Sequence, residues 1–233
     1  MPKQPLHKNY ETVSPITVGP QTFAERPKLA VYIAQIIAGW AQVDLALAVT
    51  FARYARRNIE QSIDIYLSNE GFAAQGKMLD AAAKSILTKD NFLLYSATMR
   101  FIKLNYNIRN EMAHWGWGVT DTLPDALIIF EPVNSKKFTS LMFNIGGQNM
   151  GAIIPRIMEL KADAEKNYFF YKEGDLKKCA DDMFQAEIYA DRLQQLSSST
   201  SDIQECRGII LDRPEIKQFY EKMVSDEAKA SKA

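Results

Sequence analysis

The sequence predicts a mainly α fold: an antiparallel bundle of four to five helices, with a small β-hairpin inserted before the last long helix. Three observations carry this. Apolar residues recur at intervals of three and four over most of the stretch from Pro27 to Leu196. The period shortens to that of strands only after Pro124. Prolines crowd the chain before Pro27 and polar residues dominate after Leu196, so both ends read as peripheral.

Residues 1–28 hold Pro2, Pro5, Pro15, Pro20 and Pro27 without helical periodicity, which predicts an extended N-terminal arm. A first helix runs from there to about Asn58, with Ile33, Ile36, Trp40, Val43, Leu47, Phe51 and Tyr54 on one face. An Ala-rich second helix covers about Gly71 to Leu87, its small residues suited to close packing. The third runs from about Asp90 to Ala113, with Asp90 or Asn91 as its cap and the WGWG run as its stop. ALIIFEPV (126–133) and FTSLMFNI (138–145), joined by NSKK, predict the hairpin. Helical patterning resumes near Ile153 and leads into a fourth long helix, with Asp175 as cap and a stripe of Leu176, Cys179, Met183, Ala186, Ala190 and Leu193. Residues 29–196 thus form the helical domain. SSSTS and the polar residues after it make 197–233 a linker and tail.

The 28 Lys and Arg balance the 28 Asp and Glu, which excludes a broadly basic nucleic-acid coat but leaves room for a local site. Cys179 and Cys206 form no Cys-x-x-Cys pair, so zinc and redox motifs are absent and a reducing cytoplasm fits. The N-terminus has no signal-peptide core, and no run approaches the roughly 18 apolar residues of a membrane span, so a soluble cytoplasmic protein with no membrane partner is expected. There is no Gly-rich phosphate loop, no His-Glu metal pair and no nucleophile motif, and GGQNMG (146–151) reads as a turn. Neither a cofactor nor a metal is expected.

The third helix carries the chemistry. At about 100° per residue, Phe101, Ile102, Tyr106, Ile108 and Met112 all fall within roughly 100° of Arg109, and Asn105 shares that arc. Arg100, Lys103, Asn107 and Glu111 fall on the solvated side. A guanidinium aimed at an apolar interface must meet a partner, because an unpaired buried charge is costly. Asp44 on the first helix is one such partner. Taken singly, the residues also have plainer roles: His114 capping helix-end carbonyls, Arg109 in a structural pair with Asp44, and Trp115 and Trp117 filling the core.

The segment IRNEMAHWGWG places Asn110 beside Arg109 and His114 at the helix end. This Arg-Asn-x-x-x-His pattern resembles the motif of the HEPN superfamily, which includes toxin and antiphage ribonucleases. Trp40 with Asp44 on a first helix, an Ala-rich second helix and a capping fourth helix extend the resemblance over about residues 29–196. The chain departs from many members in placing Trp115 directly after the histidine. The resemblance implies a metal-independent endoribonuclease in a toxin or defence role, working as a homodimer whose interface holds the site. Arg109 and His114 would be catalytic, with Asn110, Asp44 and Asn105 in support. It equally admits a non-catalytic module that binds a nucleotide or a protein partner, such as an antitoxin or nucleotidyltransferase.

Overall fold

The computed structural model describes all residues except 1–2, 12, 137–139, 141–149, 199–201 and 231–233. In chain order the elements are β1 (Gln4–Pro5), α1 (Leu6–Asn9), β2 (Thr17–Val18), α2 (Gln21–Glu25), α3 (Pro27–Ala55), α4 (Ile59–Leu67), α5 (Phe72–Ile86) and α6 (Lys89–His114). They continue with β3 (Gly116–Val119), β4 (Ala126–Phe130), α7 (Met150–Glu165), β5 (Phe169–Lys172), α8 (Glu173–Leu193), α9 (Asp202–Leu211) and α10 (Pro214–Ala230). The protein is mainly helical with a small antiparallel sheet. It divides into two compact units: Met1–Ile37 with Asn110–Ala180, and Ala38–Arg109 with Asp181–Ala233. Each unit is built from separated stretches of chain.

The first unit contains the five-stranded sheet, ordered β1-β5-β4-β3-β2. Strand β4 is the predicted first arm of the hairpin, but its neighbours are β3 and β5, in the registers Trp117↔Ile129 and Ile128↔Phe170. The predicted second arm, 138–145, lies almost wholly outside the described residues. The WGWG run, expected to stop a helix, does so and then becomes β3 at once. Its glycines are required by close approach: a Cβ on Gly116 would stand 2.3 Å from the Phe130 ring, and one on Gly118 3.1 Å from the Thr17 carbonyl oxygen. The N-terminal arm supplies both edge strands, and Leu6 joins Leu123, Ile128, Phe130, Tyr168 and Phe170 in the core of this unit.

In the second unit, Val43, Leu47 and Ala48 of α3, Leu79 of α5, Ile102 of α6 and Ala186 and Ala190 of α8 are wholly buried. The close approach of α3 and α8 depends on Gly39, where a Cβ would meet Met183 Cγ at 2.9 Å. Trp40 packs on Phe72 and Tyr106 with ring centroids 5.5 and 5.0 Å apart, as core filling. The linker and tail expected after residue 196 are instead helices α9 and α10, which bury Cys206, Ile210 and Ile216. Polar side chains also hold them. Arg207 donates to Asn91 Oδ1 at 2.6 Å and pairs with Asp90 at 2.7 Å, and the Tyr220 hydroxyl donates to Asp90. Asp90 and Asn91 therefore hold the C-terminal helices, while Thr88 Oγ1 accepts the Asn91 N–H at the start of α6.

Helix α3 is long and apolar enough, by length and composition, to cross a membrane. The expectation that no stretch qualifies rested on an unbroken apolar run, which Gln35, Gln42 and Asp44 interrupt. Its residues Ile36, Val43, Leu47 and Ala48 are fully buried in the protein, the pattern of a core helix.

Candidate functional site

Helix α6 passes through both units, and the boundary falls between Arg109 and Asn110. The two ends of the motif are described in turn.

In the second unit Arg109 is half-buried and Asn105 is buried. Asn105 donates its amide to the Phe101 carbonyl at 3.1 Å, one turn back, so it serves the helix interior. Asp44 is half-buried, and its Oδ1 is enclosed without a hydrogen-bond partner among the described residues. Burial raises the Asp44 carboxyl above its ordinary value, and the charge of Arg109 pulls it back down. Asp44 thus feels the charge of Arg109. Tyr66, which the sequence did not mark, belongs with them: it is fully buried, its hydroxyl has no hydrogen-bond partner among the described residues, and burial and then the Asp44 charge raise its pKa. Enclosed polar atoms without a partner cost stability. Only the β-type spacing of Ile63, Ile65 and Leu67 surrounds Tyr66 in sequence, which hides it.

In the first unit Asn110 is half-buried and His114, the last residue of α6, is exposed. Ala113 and Trp115, on either side of His114, line an apolar cavity of about 450 Å³ together with Ala30, Ile33, Ala34 and Ile37 of α3. Glu111, expected on the solvated side, is instead 15% exposed and pairs with Lys3 at 2.7 Å. The Lys3 ammonium also sits 4.3 Å above the Trp115 ring, so the N-terminal arm clamps the end of the helix. Neither Lys3 nor Glu111 follows a sequence pattern, because 108 positions separate them along the chain.

Arg109 and His114 both belong to α6, one on each side of the boundary between the units. None of the four described cavities includes Arg109, Asn110, His114 or Asp44 in its lining. Among the described residues, no group of three His, Cys, Asp or Glu side chains is placed to hold a metal ion. No protein-family model, curated protein or solved structure matches the chain.

Proposed function

We propose that this protein is a metal-independent endoribonuclease of HEPN type, cytoplasmic and acting in a toxin or defence role, in which His114 and Arg109 do the chemistry. The observation that supports this reading is the setting of one helix: an exposed histidine as its terminal residue, and a half-buried arginine upstream whose charge acts on the half-buried Asp44 carboxyl. Cleavage by the 2′-hydroxyl of RNA requires a proton carrier and a stabiliser of charge at phosphorus. Imidazole exchanges protons near neutral pH, and guanidinium offers a fork of donors to phosphate oxygens. The 2′-oxygen attacks the adjacent phosphorus as its proton passes to a base. The 5′-oxygen leaves with a proton, and a 2′,3′-cyclic phosphate and a 5′-hydroxyl result. His114 serves as base or acid, Arg109 donates to the non-bridging oxygens, and Asn110 orients the phosphate.

The reading has a second copy complete the cleft. The apolar hollow beside His114 supports a twofold homodimer there. Light scattering at micromolar concentration gives twice the chain mass if this holds, and a strict monomer removes the shared cleft. The coupling of Asp44 to Arg109 favours a second reading, a non-catalytic binding module in which that arginine serves structure or a nucleotide or protein partner such as an antitoxin or nucleotidyltransferase. Incubation with cellular RNA in EDTA separates them. The ribonuclease cuts, and His114→Ala is slowed by about 10²- to 10⁴-fold with little change in melting temperature. The module cuts nothing.

A further inference from the structure

The largest described cavity, about 630 Å³, lies in the second unit between α5 and α6, away from the motif residues. Its lining concentrates positive charge in a chain whose net charge is zero: Lys77 and Lys84 on α5 and Arg100 and Lys103 on α6, against one acid, Asp80. Asp80 is engaged, accepting from the Tyr95 hydroxyl at 2.7 Å. The four cations are exposed, and none joins an ion pair among the described residues. Between them lies the Phe92 ring, neither buried nor fully exposed. Lys84 is 5.6 Å from the Phe92 centroid, so charge and ring already share a surface.

We infer that this groove holds single-stranded RNA. The inference rests on the reading of RNA as substrate and adds the surface that grips the strand. Lys77 and Lys84 are seven residues apart, about 10 Å along α5. Cations spread over that distance on two helices suit the repeating phosphates of a strand better than the clustered phosphates of one mononucleotide. The partly exposed Phe92 ring offers a stacking platform to an unpaired base, which a duplex keeps stacked on its neighbours. A few cations in a cleft also fit the balanced overall charge, since a local field suffices to bind a polyanion.

The test is fluorescence anisotropy of a labelled 12-nucleotide RNA in EDTA, using the full chain with His114→Ala so that cleavage does not intrude. With four phosphates neutralised and a slope of about −0.7 for each, affinity should fall about 50-fold between 50 and 200 mM salt. Lys77→Gln with Lys103→Gln should halve the slope, leaving a fall of about 7-fold. Phe92→Leu should weaken binding by about 5-fold or more without changing the slope. Circular dichroism of each variant checks the fold. An unchanged slope in the double variant, equal affinity for an RNA duplex, competition by AMP at the strand's own concentration, or no binding at 50 mM salt would each overturn the groove. Cleavage by the wild-type chain with no groove binding would sink this inference alone, whereas groove binding without cleavage would sink only the catalytic reading.

Discussion

The pair between Lys3 and Glu111 carries a quantitative prediction. At 2.7 Å and an effective dielectric of about 20, the gross attraction is about 6 kcal/mol. Both side chains are about 15% exposed or less, so desolvation offsets much of that. The net worth falls between the 0–1 kcal/mol of exposed pairs and the 3–5 kcal/mol lost when a buried pair is broken. Lys3 also lies over the Trp115 and Phe169 rings at 4.3 and 4.8 Å, which contributes about 0.5–1 kcal/mol. Lys3→Met keeps the aliphatic stem but removes the charge, leaving Glu111, among the described residues, only the Tyr171 hydroxyl at 3.5 Å. The expected loss is about 2–3 kcal/mol, or a fall of roughly 5–10 °C in Tm. Guanidinium unfolding of Lys3→Met, Glu111→Gln and the double variant gives the coupling energy directly. A value near 1.5 kcal/mol is expected, and one below about 0.5 kcal/mol would refute the clamp.

Three further outcomes follow from the same packing. Asp44 holds its proton to higher pH in the folded state than in the unfolded chain, so stability falls as pH rises through that interval. Asp44→Asn cannot titrate, and should gain on the wild type above about pH 4, an advantage that vanishes in stronger acid; a wild type that gains instead would show that Arg109's attraction outweighs burial. Tyr66→Phe removes a buried hydroxyl without a hydrogen-bond partner among the described residues, so thermal unfolding should change by less than about 0.5 kcal/mol or move upward; a loss above 1 kcal/mol would reveal a bond carried by water. Gly116→Ala drives a methyl into the Phe130 ring and should cost about 1–3 kcal/mol; urea unfolding indistinguishable from wild type would show that the ring moves aside freely.

The long helices were legible because burial writes a repeat into sequence. Every residue of the expected stripe Leu176, Cys179, Met183, Ala186, Ala190 and Leu193 is at most 1% exposed. Of the sheet only β4 was, because the other strands are too short to leave alternations to count, and Gly116 and Gly118 signal turns unless the Phe130 ring and the Thr17 backbone are known to approach them. Strand β5, FFYK, was absorbed into a helical reading because its four residues abut α8 directly. Helices α9 and α10 escaped notice because their attachment runs through Arg207, Tyr220 and Arg213, whose partners Asp90 and Asp182 lie far away in sequence. Of the site, the helix carrying Arg109 and His114 and the link to Asp44 could be read from pattern. Tyr66, Glu111 and Lys3 could not, since only tertiary contact brings them in.

The central claim is that the attacking group belongs to the RNA and that His114 moves its proton. An oligonucleotide that the protein cuts at one known bond is resynthesised with a single 2′-deoxy residue on the 5′ side of that bond, and both are incubated with protein in EDTA. The account predicts a 2′,3′-cyclic phosphate on the parent product, and no cut at the substituted bond. Cleavage there at an undiminished rate, or a folded dimer that leaves every RNA intact, would contradict it.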